Sequence, residues 1–153
     1  MKGEQIPVKI LSLRMIANVS PALRSALGLN VRHRALGLIS ADSDDATYLA
    51  LDEATKAANV DVVYARSLYA GAANATTRLA GEVIGILGGE NPSDILSALR
   101  SAQAFLSGSV GFRSADDANS VVYLAHCVAS CGSYLGAVEH VPVGRAMAYG
   151  ITA

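Results

Sequence analysis

A chain of 153 residues with 52% hydrophobic and 16% charged residues is long and apolar enough to bury a core without disulfide staples, and too apolar to be disordered. Twelve basic against thirteen acidic residues leave a net charge of -1, with no basic patch of the kind a phosphate-binding surface needs. Two cysteines are too few for a disulfide scaffold and fit a reducing cytoplasm; no uncharged stretch reads as a lipid-spanning run.

Met1 to Gln5 leads into a strand pattern from Ile6 to Val19 and not into a secretory segment. Ser20-Pro21 reads as an N-cap with proline at the first helical position, opening a short helix over Ala22–Leu27 that Gly28 stops. Arg34 to Ala41 is a second strand. Asp42-Ser43-Asp44-Asp45 is an acidic, cap-competent cluster ahead of Ala46, Leu49, Ala50, Ala54, Ala57 and Ala58, which share one helical face. Strands follow at Val60–Tyr69 and Ala80–Leu87, separated by a loop of small and polar residues. Gly88-Gly89 turns the chain, and Asn91-Pro92 opens a helix to about Leu106. After a glycine-containing link at Gly108–Phe112, Asp116-Asp117 predicts a helix carrying Val121, Val122, Leu124, Ala125 and Val128 and ending near Gly132. A final strand runs over Ala146–Ala153. Helices do not alternate strictly with strands, so the fold class is α+β with a mostly antiparallel sheet.

Arg34-Ala35-Leu36-Gly37-Leu38-Ile39-Ser40-Ala41 echoes Arg145-Ala146-Met147-Ala148-Tyr149-Gly150-Ile151-Thr152-Ala153 with one inserted residue. The echo predicts a duplicated domain whose second copy is cut off.

Two readings fit Asp42, Asp44 and Asp45: capping with a favourable helix-dipole interaction, or a site for a small cation or ammonium group. Glu82, in phase with Ile84 and Ile86, is either at an exposed strand start or held by a partner. With a nearby aromatic, Asp45 and Glu82 would form an amine pocket with a cation-π contribution. Cys127 and Cys131 share a face of the expected helix. Their spacing is not that of a zinc knuckle and no fourth ligand is evident, which favours small buried hydrophobes over a metal site. His33 and His140 read as surface residues. No nucleophile elbow, catalytic triad, dinucleotide fingerprint or phosphate loop is present, so catalysis has no support and no cofactor is expected.

The stretch from Arg34 through Tyr48 resembles bacterial microcompartment shell proteins, specifically the tandem-domain L type of the ethanolamine-utilisation compartment. So do Asp52-Glu53-Ala54-Thr55-Lys56-Ala57-Ala58, Val62 to Ala72, Gly81-Glu82-Val83 and Gly132-Ser133-Tyr134-Leu135. The resemblance implies circularly permuted shell domains, three chains per flat pseudohexamer, tiling with other shell proteins around amine-degrading enzymes, and no enzymatic activity of the chain's own. It also implies ethanolamine bound at subunit pores by positions matching Asp45, Glu82 and Phe112, and a gated central pore approached by Tyr69 to Arg78. Family members continue beyond the strand ending at Ala153. The expected domains are therefore a first shell domain over 1–108 and the N-terminal part of a second over 109–153. The alternative is a free-standing oligomeric α+β module that binds a small molecule for regulation.

Overall fold

The computed structural model describes residues 1–68, 80–108 and 110–152. Its elements are β1 (Gln5–Ile6), β2 (Ile10–Ile16), α1 (Pro21–Leu27), β3 (Ala35–Ser43), α2 (Asp44–Ala57), β4 (Val60–Leu68), β5 (Ala80–Gly89), α3 (Pro92–Ser107), β6 (Phe112–Ser114), β7 (Val122–Val128), α4 (Ser133–Val138) and β8 (Met147–Thr152). They form two four-stranded sheets, ordered β2-β3-β5-β4 and β1-β6-β7-β8, and every described pairing is antiparallel. The α+β class expected from the element order is the one observed.

In the first sheet, β3 and β5 alternate their faces. Ala35, Ile39, Ala41, Val83 and Leu87 are buried beneath α2 and α3. The helices come close because glycines meet them: a Cβ on Gly85 would stand 2.8 Å from Leu51 Cδ1. On the opposite face Leu36 and Ile86 pack with Leu23, Leu27 and Leu29 of the α1 region in a smaller cluster. The main core is continuous with the second sheet, where Phe112, Val122, Leu124 and Val128 are buried, and with Leu135 of α4.

Helix ends follow local chemistry. The Ser20 hydroxyl accepts from Leu23 N, Pro21 occupies the first turn, and Gly28 closes α1 at φ 62°, in the left-handed region that glycine enters freely. The hydroxyl of Ser43, not an aspartate, caps α2 by accepting from Ala46 N. Asp42 still belongs to β3, and its carboxylate accepts from Lys9 N at 2.8 Å.

Three expectations are corrected. The run from Ile6 to Val19 is not one strand: Pro7 lies between β1, which joins the second sheet against β6, and β2, which joins the first against β3. The helix expected after Asp116-Asp117 is strand β7. Burial alternates, with Val122, Leu124 and Val128 inward, and β-branched residues in that period suit a pleat better than a helical turn. Asp116 instead folds a turn, its carboxylate accepting from Ser120 N and Val121 N. His33 is buried, its Nε2 2.9 Å from Asp61 Oδ2.

The repeat extends beyond the echo. β2, α1 and β3 start at residues 10, 21 and 35, and β7, α4 and β8 start 112 residues later, at 122, 133 and 147. Two copies of a strand–short helix–strand unit therefore lie in the chain. One difference between them matters. Ser20, the cap of α1, corresponds to Gly132 before α4, which has no hydroxyl to offer. The missing acceptor comes from α2, which directly follows the first copy: Asp52, 1% exposed, accepts from Gly132 N at 2.7 Å and Leu135 N at 2.8 Å. Leu135 is 112 residues beyond Leu23, so the same amide is capped in both copies, once locally and once across the fold. Lys56 reinforces this junction, donating to the Ser130 carbonyl at 2.8 Å.

Candidate functional site

The acidic turn at the start of α2 is where ionisable groups converge. Asp44 and Asp45 occupy the first helical turn, where exposed amides favour negative charge. Asp44 is buried and accepts from Asp45 N at 2.8 Å. Burial first, and the adjacent Asp45 charge second, push the Asp44 carboxyl up to about 6. The Ser67 hydroxyl of β4 faces it and opposes part of this shift, although that buried oxygen completes no hydrogen bond of normal geometry.

Asp45 is half-buried and is met from the other copy: the Tyr149 hydroxyl of β8 donates to Asp45 Oδ1 at 2.5 Å. The Tyr149 ring also lines a cavity of about 380 Å³ with Tyr48, Ala65, Tyr134, Leu135, Val138 and Glu139. Tyr48 and Tyr134 are tilted against one another with ring centroids 6.3 Å apart. Burial, followed by the charges of Asp44 and Asp45, raises the Tyr48 phenol. Burial, with Tyr48, Glu139 and Asp52 behind it, raises Tyr134 to about 12. Tyr149 is raised further, by burial and then by its bond to Asp45. The three phenols stay neutral donors beside carboxylates, a combination suited to an organic cation with one polar end.

Glu82 lies on β5 opposite Leu68 and on the same face as Ile84 and Ile86, as the alternation implied. It is half-buried and close to the end of the sheet at which β3 passes into α2, since Ser43 pairs with Ala80. Asp45, in α2, stands beyond that same end of the sheet, but α2 packs on the face of Ile39 and Leu87, whereas Glu82 lies on the face of Ile84 and Ile86. Phe112, the first residue of β6, is wholly buried in the main core, so its ring packs against protein. The pore approach expected over Tyr69 to Arg78 falls outside the described residues. Cys127 is exposed on β7 and Cys131 is buried beyond it, so they share no helix face. Among the described residues no group of three or more His, Cys, Asp or Glu side chains is placed to hold a metal ion. Sequence reasoning missed Tyr149, Tyr48 and Tyr134. The one signal for Tyr149 was its place in the repeated strand.

A two-layer antiparallel α+β unit with a permuted internal repeat defines a class, and residues 35–114 match the family described as "BMC domain". The chain belongs to the bacterial microcompartment shell proteins, as a shell protein of the EutL type. It is 53% identical over 149 residues to the bacterial microcompartment shell protein EutL of Clostridium perfringens, covering 97% of this chain and 69% of that relative. It is 46% identical over 140 residues to EutL of Salmonella typhimurium, covering 92% of this chain and 64% of that one. The crystal structure of the ethanolamine utilization protein EutL of Leptotrichia buccalis superposes with a TM-score of 0.91 at 47% identity, covering 99% of this chain and 70% of that one. The chain therefore spans about two thirds of the length of these relatives. No described helix is long and apolar enough to cross a membrane.

Proposed function

We propose that this chain is a structural, non-enzymatic subunit of the shell of an ethanolamine-utilisation microcompartment in the bacterial cytoplasm. Three copies associate as a flat pseudohexamer that tiles with other shell proteins around ethanolamine-degrading enzymes and passes or gates small metabolites through pores. The first shell domain covers 1–108, and 109–153 is the N-terminal part of a second, to whose sheet β1 is lent. Ethanolamine is the pore ligand: Asp45 and Glu82 supply carboxylates for its ammonium group.

The observation that carries this reading is the acidic turn of α2, held by a tyrosine of the other copy at one end of the sheet that bears Glu82. The 46–53% identity to shell proteins named EutL supports it, as does the ethanolamine utilization named for the Leptotrichia buccalis relative. Electron microscopy of the purified chain tests the assembly, with discs, sheets or tubes expected. Small soluble dimers alone would count against the shell and for a free-standing binding module. Calorimetry with ethanolamine tests the site: Asp45→Ala and Glu82→Ala are each expected to weaken binding, and unchanged binding in both removes the assignment.

A further inference from the structure

Tyr149 reaches from the second copy to the acidic turn of the first. Its hydroxyl donates to Asp45 Oδ1, while its ring forms one wall of the 380 Å³ cavity lined also by Tyr48 and Tyr134. A carboxylate offers about four acceptor positions on two oxygens, so a donor on Oδ1 leaves capacity on Oδ2 and restricts rotation of the group. A phenol does this without adding positive charge. An arginine or lysine in its place would neutralise Asp45 and compete with an incoming ammonium; a neutral hydroxyl holds the carboxylate and leaves its charge intact. Burial first, then the bond to Asp45 and the charges of Asp45, Glu139 and Asp44, keep that hydroxyl protonated, so it stays a donor across the physiological range.

We infer that Tyr149 is the positioning residue of the amine site: its hydroxyl holds the Asp45 carboxylate in the orientation that receives the ammonium group. A site whose charge comes from the first copy thus has its affinity set by the second. This rests on the reading of Asp45 as an amine ligand given above.

The test is isothermal calorimetry of the full chain with ethanolamine for wild type, Asp45→Ala and Tyr149→Phe, together with near-ultraviolet difference spectra over the same titrations. Tyr149→Phe keeps the ring and the cavity wall and removes one oxygen. It is expected to weaken binding by roughly tenfold, the lower end of what a hydrogen bond to a charged group is worth. Ethanolamine should perturb a tyrosine band in wild type, because the bound ammonium draws on the charge of the carboxylate to which the Tyr149 hydroxyl still donates, and that signal should be absent in Tyr149→Phe although Tyr48 and Tyr134 remain. A merely structural tyrosine would give no such signal. If Asp45→Ala abolishes binding while Tyr149→Phe binds like wild type or more tightly, Tyr149 has no positioning role and the site reading stands. If wild type shows no binding, or Asp45→Ala binds unchanged, the site reading falls and takes this inference with it.

Discussion

Asp52 is the single residue whose removal most directly tests how the two copies are joined. In Asp52→Ala the amides of Gly132 and Leu135 lose their acceptor in a buried setting, and α4, six residues long, has no cap of its own. Two hydrogen bonds to a charged acceptor at about 1.5 kcal/mol each put the loss near 3 kcal/mol. Asp52→Asn keeps one acceptor oxygen and turns an amide donor toward the second N–H, so about half of that loss or slightly more is expected. Glu53→Ala, next in sequence and paired with Lys56 at the surface, serves as the control and should change stability by less than about 0.5 kcal/mol. Urea unfolding followed by circular dichroism reads all three, with an unchanged m-value showing that the folded state still buries the same surface. Hydrogen exchange should quicken at Gly132 and Leu135 before the α2–α3 core is affected. A loss in Asp52→Ala no larger than in Glu53→Ala would refute the cross-copy cap. A loss in Asp52→Asn equal to that in Asp52→Ala would show that the charge, and not the number of hydrogen bonds, carries the effect.

Gly132→Ala should destabilise by more than 2 kcal/mol, about the upper range for overpacking, because its Cβ would lie 2.8 Å from the Asp52 carbonyl and press on the Thr55 hydroxyl; thermal melting checks this. Gly85→Ala drives a methyl to 2.8 Å from Leu51 and 3.2 Å from Ile39, and should cost about 1–3 kcal/mol in the same assay. The Asp44 carboxyl lies above its ordinary 3.8, at about 6, so between these values the folded state holds a proton that the unfolded state has lost. Its contribution to stability therefore falls as pH rises from about 4 to about 6 and is flat above. Asp44→Asn should remove this slope relative to wild type and leave a more stable protein at pH 7, measured by urea midpoints at pH 4, 5, 6 and 7. An ammonium ligand favours the ionised pair, so ethanolamine affinity should rise through pH 6 in wild type and lose that rise in Asp44→Asn, which calorimetry across pH detects.

Elements defined by short-range chemistry were legible in the sequence. Ser20-Pro21 with Gly28 marks α1, Ser43 ahead of two aspartates marks α2, and Asn91-Pro92 marks α3, because caps and fixed φ angles act within a few residues. The stretch from Asp116 to Gly132 was not. Val121, Val122, Leu124, Ala125 and Val128 satisfy helical spacing, and only pairing with residues 112–114 and 147–152 selects the strand. The split at Pro7 has the same origin, since β1 is defined by a partner far along the chain. Asp45 and Glu82 stood out as charges among small and apolar residues; Glu82 lies in β5 near the end of the sheet from which α2, with Asp45, departs. Tyr149 and Asp52 did not stand out. Their roles depend on contacts over 104 residues in one case and 80 to 83 in the other, which no local pattern encodes. Phe112 is the reverse case, an aromatic selected by resemblance that the fold buries completely.

The pairing of Gln5 with Arg113 has a consequence for synthesis. The partners are 108 residues apart, so at about 5–20 residues per second the ribosome exposes β1 roughly 5 to 20 s before β6 exists. Contacts of such separation form late, and an unpaired strand in that interval invites pairing with other nascent chains. Two residues followed by a proline are a poor template for that error. The brevity of β1 lets the first sheet assemble around β3 and β5 while the strand that ties the chain's beginning to its second half waits for its partner.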